Sequence, residues 1–416
     1  MTNRKAAGIV FLLACMAALL FVRSPGTGDV AFWMRWIENA KTYGIRAGYA
    51  ANDSDYPPLS MLFLVLVAKL SEFLGVSNFT GFKVSLYLSL LLTSFAFFVW
   101  TKNLLATSLL QLSLTLNSMA LGYVDIYFAP PLIFALRALQ QAKWLPFTLL
   151  FILACLIKWQ PLMLVPMLVV YLTGMDGAGG LKRVNLRRFL LQIILPVSLT
   201  GVVCLAVFGI DIIMALGQAG THPVLSGNAL NLSWIVTHGL HVFLPDKFGP
   251  LVDGRARAIE TGDARILFGP KLVFLLAYFS TLYAFIRVEK SCANLLLFST
   301  IGYLCYFTLS AGVHENHLFL PSILAMALAC MDKRYFPAAI FVLLLANLNL
   351  LLFYGMSGTG LPFPRVVGGV DVALPVSILA VMFFCVLFRP VVAELRSAVG
   401  SSRGWGEGHA SRPPAE

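Results

Sequence analysis

Long apolar runs separated by short polar stretches recur along nearly the whole chain. They lie at 6–22, 82–100, 104–122, 126–142, 144–157, 160–173, 189–209, 266–287, 292–310, 317–331, 335–354 and 372–389. A bilayer span needs about 20 apolar residues, fewer where a helix tucks against neighbours. The pattern therefore predicts an all-α, polytopic bundle of about 12 spans, occupying 1–390 as one unit. Residues 58–75 are apolar enough to join the set but carry Lys69, Ser71 and Glu72. They are read as a juxtamembrane helix lying in the outer leaflet, with a true span as the alternative. No period of 20–50 residues repeats, which argues against a solenoid.

Two longer polar stretches, 23–57 and 210–265, interrupt the runs. The first contains an amphipathic segment, Val30 to Tyr43. Phe32, Trp33, Trp36, Ile37 and Ala40 share one side of it, and Arg35, Glu38, Asn39 and Lys41 the other. That pattern predicts an interfacial helix with its tryptophans at headgroup depth. Placing the N-terminus in the cytoplasm puts Lys102, Lys143, Lys182, Arg183, Arg187, Arg188, Arg287, Lys290, Lys333 and Arg334 in inside loops. Only Lys158 and Arg365 then fall in short outside ones. This asymmetry follows the positive-inside rule. The run 6–22 follows Arg4 and Lys5 but lacks a small-x-small cleavage site, so it reads as an uncleaved first helix. The basic, then Gly/Ser/Pro-rich tail, 391–416, is expected to be cytoplasmic and disordered.

Composition agrees with a lipid environment: 59% of residues are hydrophobic and 12% charged, against about 25% charged in soluble domains. The net charge of +11 is scattered between apolar runs. It suits topology and anionic headgroups and gives no sign of a nucleic-acid partner. The seven cysteines sit in or beside apolar runs with no CxxC pair, so neither a disulfide framework nor a zinc site is expected.

The residues that could carry chemistry gather at the outer ends of the runs. Asp29 lies just past the first run, where a carboxylate can act as general base on a hydroxyl or cap the helix starting at Val30. In Asp53-Ser54-Asp55-Tyr56-Pro57-Pro58-Leu59, Tyr56 offers a flat face for a sugar ring and Asp55 an acceptor for its hydroxyls. The prolines could equally just start a helix beside a solvated Asp55. Asp125 is a carboxylate between two apolar runs, costly unless paired or in a wet cavity. Lys158 could bind a lipid phosphate or simply snorkel to the interface. His222-Pro223 and Ser226 to Trp234, with Asn228 and Asn231, suit carbohydrate recognition or any polar loop. In Gly312-Val313-His314-Glu315-Asn316-His317-Leu318, His314 could bind a phosphate or donate a proton to it, and Glu315 could pair with a cation such as Lys158. An H-E-x-x-H zinc signature would need its second histidine at 318, which is Leu, so no metal is expected.

These pieces, in this order, resemble the GT-C class of polyprenyl-phosphate-sugar-dependent glycosyltransferases. The bacterial polyprenyl-phosphate-mannose-dependent mannosyltransferases look closest, and the dolichyl-phosphate-glucose-dependent glucosyltransferases of eukaryotes more distant. The matched pieces are Asp29 before Phe32-Trp33, Tyr56-Pro57-Pro58-Leu59, Gly122-Tyr123-Val124-Asp125, Lys158-Trp159-Gln160 with Pro166, Asn228 to Asn231, and Val313 to Leu318. Tyr123 replaces a glutamine of the pattern. Asn316-His317 replaces Arg-Tyr, which removes a bidentate phosphate clamp and leaves Lys158 and His314 for the donor phosphate. The resemblance implies a GT-C-like fold in a bacterial plasma (inner) membrane with the site on the periplasmic face. It also implies an inverting transfer of a hexose, mannose favoured, from a polyprenyl-phosphate donor to a lipid-linked or envelope glycan acceptor. Asp29 would be the base; Asp55, Tyr56, Asp125, Asn228, Asn231 and Glu315 would hold sugar or acceptor. No cofactor is called for. A transporter or flippase of lipid-linked glycans is the main alternative, and a non-catalytic scaffold a third reading; polar residues at the ends of spans rather than mid-span favour surface chemistry.

Overall fold

The computed structural model describes residues 2–176, 185–361 and 364–403. Among them the chain is almost wholly helical, with one two-residue antiparallel ribbon pairing Val366–Val367 with Val370–Asp371. The N-terminal part comprises α1 (Thr2–Leu19), α2 (Asp29–Ala51), α3 (Pro58–Phe73), α4 (Asn78–Thr101), α5 (Leu104–Thr115), α6 (Ala129–Gln140), α7 (Trp144–Ile157) and α8 (Val165–Thr173). Next come α9 (Leu186–Phe208), α10 (Asp211–Ala219), α11 (Leu232–Phe243), α12 (Ala264–Arg287) and α13 (Cys292–Leu309). The last are α14 (Phe319–Met331), α15 (Phe336–Tyr354), α16 (Ala373–Leu387) and α17 (Arg389–Arg403).

Starts and stops follow local chemistry. Ser77, Asn103, Asn231, Asp263 and Ser291 accept backbone N–H groups at the heads of α4, α5, α11, α12 and α13, satisfying donors that would otherwise be orphaned. Pro57 and Pro58 open α3. Between α5 and α6 the chain passes through a π-helical turn, Leu116–Ala120, and a 3₁₀ turn, Val124–Tyr127. The fully buried Lys83 of α4 donates to the Met119 carbonyl at 2.7 Å, supplying a partner where the helical ladder is disrupted.

Each of the twelve expected apolar segments is helical, but their lengths differ. Among the described residues, five helices, 78–101, 186–208, 264–287, 292–309 and 333–354, are long and apolar enough to cross a membrane; a sixth forms if Ala373–Leu387 and Arg389–Ala398, bent by 40°, count as one. The others are shorter: α6, at 12 residues, is about 18 Å long against a hydrocarbon core of about 30 Å. Burial grades with position. Of the apolar window of α13, 72% is buried; of that of α9, 0%. α9 turns Leu190, Leu191, Val197, Leu199 and Val202 outward, as a peripheral helix facing lipid does.

Three local expectations differ. The interfacial helix runs from Asp29 to Ala51, bent at Gly44 (φ 78°), and buries Trp33, Trp36, Ile37 and Ala40 while leaving Phe32 exposed. α3 is 16 residues long and buries Met61, Leu64 and Ala68, packing against α2, α4 and α7. The tail expected to be disordered from 391 is helical to Arg403, because Val391 is buried and the helix packs on α12 and α16; 404–416 lie outside the described residues.

Candidate functional site

Every candidate residue stands at the same end of the bundle. α6 and α14 begin there and α7 ends there. The opposite ends of these helices meet elsewhere: Trp100 Nε1 donates to Gln140 Oε1 at 2.7 Å, Arg188 donates to the Ala142 carbonyl, and Arg188 sits over the Trp144 ring at 4.5 Å. Lys102, Lys143 and Arg188 thus share the end remote from the site. Lys182 and Arg183 lie outside the described residues.

The centre is an ion pair. Lys158 follows α7, and its Nζ lies 3.6 Å from Asp125 Oδ1 and donates to the Tyr56 hydroxyl. Asn316 Nδ2 donates to the other Asp125 oxygen at 2.9 Å. Asp125 is fully buried and Lys158 only 8% exposed, so each charge depends on the other. Tyr56 is fixed on three sides. Trp33 and Trp36 meet its ring edge-on at 5.2 and 5.3 Å, and Tyr49 donates to its carbonyl at 2.8 Å. Trp33 Nε1 also donates to the Gly122 carbonyl at 3.0 Å, tying α2 to the turn that carries Asp125.

Asp29 is the first residue of α2, not its cap: Gly28 holds the capping position without a side-chain bond. Its carboxylate makes no hydrogen bond or ion pair among the described residues, although its backbone N–H reaches Thr27 Oγ1 at 3.4 Å. Burial pushes its carboxyl up to about 6; the Lys158 charge opposes this, and Asp125 and Asp55 add to it. The residues before it are held by Thr27 N–H to the Leu121 carbonyl at 2.9 Å and Gly26 N–H to the Ser357 carbonyl at 3.1 Å. A side chain at Gly358 would meet the Gly26 oxygen at 2.1 Å, so this crossing requires glycine.

His314 and Glu315 enter between α13 and α14. A short parallel ladder joins them to the segment before α11: Gly312 N–H to Leu225 O at 3.3 Å, Gly227 N–H to Val313 O at 2.8 Å and Glu315 N–H to Gly227 O at 3.1 Å. The His314 ring packs directly on Gly227, where a Cβ would meet Nδ1 at 2.6 Å. Burial, with the His222 charge adding to it, lowers His314 to about 4 despite the pull of Asp55. The ring is therefore neutral near pH 7. Glu315 accepts from the Tyr123 hydroxyl, and its Oε2 lies 3.9 Å from His314 Nδ1. The tyrosine that replaced a glutamine in the sequence pattern thus has a definite partner.

Asp55 and the two asparagines are placed differently from one another. Asp55 pairs with His222, Oδ2 to Nε2 at 3.1 Å. Burial acts to raise its carboxyl, but the His222 hydrogen bond and the Lys158 charge outweigh it and hold it below the usual range. Asn228, with φ 57°, donates to the Tyr354 hydroxyl at 3.1 Å at the rim. Asn231 is fully buried; it caps α11 through Trp234 N–H at 2.9 Å and donates to the Phe307 carbonyl at 2.9 Å. Its amide is occupied inside the protein, which gives it a structural place instead of a sugar-facing one.

Several contributors were not singled out from the sequence. Asn349 accepts from Leu230 N–H at 2.6 Å and donates to the carbonyls of Asn228 and Glu315 at 3.2 and 3.0 Å, joining both loops to α15. Its signal was available: an amide inside an otherwise apolar run is costly unless bonded. Lys83, a lone lysine near the start of an apolar run, is another such signal. No protein-family model matches the chain, and no curated protein matches it.

Proposed function

We propose that the chain is a membrane-embedded, inverting hexosyltransferase of GT-C type. It would move a hexose, mannose favoured, from a polyprenyl-phosphate carrier to a lipid-linked or envelope glycan acceptor. The proposed topology has about 12 crossings, the shorter helices completing theirs with their flanking turns and a locally thinned bilayer, in a bacterial plasma (inner) membrane. The basic end lies in the cytoplasm and the candidate site at the periplasmic face.

The observation that carries this reading is Asp29: a carboxylate with no bonding partner among the described residues and a carboxyl raised to about 6, beside a buried Lys158–Asp125 pair. A general base works best with its pKa near the operating pH and a free lone pair. In the proposed reaction Asp29 takes the proton of the acceptor hydroxyl, the hydroxyl oxygen attacks the anomeric carbon, and the bond to the lipid phosphate breaks with inversion. The phosphate leaves as a dianion, which cationic and hydrogen-bonding groups stabilise; Lys158 and His314 would take that part. Tyr56, backed by two tryptophans and with Lys158 Nζ 3.8 Å from its ring centroid, would meet a sugar ring with what remains of its aromatic surface.

The test incubates membranes containing the protein with a panel of radiolabelled polyprenyl-phosphate sugars and follows which label moves, and onto what. Transfer that disappears in Asp29→Asn supports the reading. Absence of transfer from every donor, with export of a lipid-linked glycan instead, would favour a transporter.

A further inference from the structure

Three groups of the site lie in a row: Asp55, His222 and His314. His222 comes from the segment between α10 and α11, Asp55 precedes α3, and His314 precedes α14. His222 Nε2 lies 3.1 Å from Asp55 Oδ2, and its ring meets that of His314 edge-on at 4.7 Å. The parallel ladder from Leu225 to Gly227 holds the segment down on one side of His222, and Lys271 Nζ donates to the Gly220 carbonyl at 3.3 Å on the other.

The charges around this row are unevenly matched. Asp29, Asp55, Asp125 and Glu315 are four carboxyl groups close together, and Lys158 is already paired with Asp125 and bonded to Tyr56. His314 is held neutral. An incoming phosphate would therefore meet an excess of negative charge and no uncommitted cation among Asp29, Asp55, Asp125, Lys158, His314 and Glu315. His222 can reverse that balance: a protonated imidazole donates from both nitrogens. With Nε2–H given to Asp55, Nδ1–H is left for another acceptor, and the carboxylate fixes the ring's orientation. The His222 side chain is 28% exposed, open enough to touch a ligand.

We propose that His222 is the cationic ligand for a phosphate at this site and that Asp55 is its positioning residue, not a contact for sugar hydroxyls. This assignment rests on the glycosyltransferase reading and gives it the phosphate partner left open where Asn316-His317 stand in place of Arg-Tyr.

The experiment uses the full chain in nanodiscs, with undecaprenyl phosphate and undecaprenol as probes, binding followed by tryptophan fluorescence. His222→Gln keeps a hydrogen bond to Asp55 without the charge. It should lose roughly tenfold or more in affinity for the phosphate, the scale of one charge-assisted bond, and nothing for the alcohol. His222→Arg should recover most of the loss, which a purely structural histidine would not allow. Asp55→Asn should weaken phosphate binding less than His222→Gln. Equal phosphate affinity in His222→Gln and wild type overturns the assignment while leaving the transferase reading intact. A wild-type protein with no preference for the phosphate over the alcohol overturns both. His222→Leu, checked for folding by its melting temperature, is the second variant; if it melts like wild type and binds the phosphate equally well, the assignment also fails.

Discussion

Replacing Asp29 by Asn separates chemistry from architecture, because the two make opposite demands on one carboxylate. Its carboxyl titrates near 6 instead of 3.8, chiefly through burial. For an acid, a folded-state value above the unfolded one means that ionisation costs stability. The cost is absent below about pH 3.8, grows between 3.8 and 6, and is complete above 6. Two units at about 1.4 kcal/mol each set an upper limit near 3 kcal/mol, and solvent screening of a partly exposed group reduces this to about 1–2 kcal/mol. Asparagine has nearly the same shape and no charge, so Asp29→Asn should melt a few degrees higher than wild type at pH 7.5 and no higher at pH 4. Transfer should fall by about 10²–10⁴, the usual contribution of a general base. Wild-type kcat/KM should drop about tenfold per pH unit below about 6, since about a tenth of Asp29 is ionised at pH 5. Thermal melts in detergent and labelled-sugar transfer at pH 5–8 measure both effects. A variant that melts lower and transfers normally would show that Asp29 is a structural residue, and a flat profile from pH 5 to 7 would remove it as the base.

The other expectations concern the shell around it. Gly227→Ala places a methyl 2.6 Å from His314 Nδ1, which must move the ring by about 1 Å; a displacement of that size costs about 10²-fold in rate, with expression near normal. Lys158→Met strands the buried Asp125 charge and should destabilise the protein by about 3–5 kcal/mol, seen as poor membrane accumulation; adding Asp125→Asn should restore accumulation but not transfer. Single cysteines at the exposed positions Pro25 or Thr221 should react with a membrane-impermeant maleimide on intact cells; labelling only after permeabilisation would invert the proposed topology.

The sequence by itself determined that this chain is a bundle of apolar helices, and largely where each one lies, because the periodicity and length of an apolar run are local properties. It also marked the polar positions worth attention, since a carboxylate, lysine or histidine between apolar runs is conspicuous for its cost. It misjudged what depends on neighbours. The tail is helical to Arg403, with Val391 buried and the helix packed on α12 and α16, and only about half the described apolar helices are long enough to cross alone, which composition does not reveal. The partners within the site belonged wholly to the tertiary structure. Tyr123 meets Glu315 across 192 positions, Asn316 meets Asp125 across 191, and His222 meets Asp55 across 167. No local pattern encodes such pairs: helix packing brings them together, and the same packing decides which are desolvated. It consigned Asn231 to a buried cap and bound Lys158 to Asp125, and it left the Asp29 oxygens without a partner among the described residues.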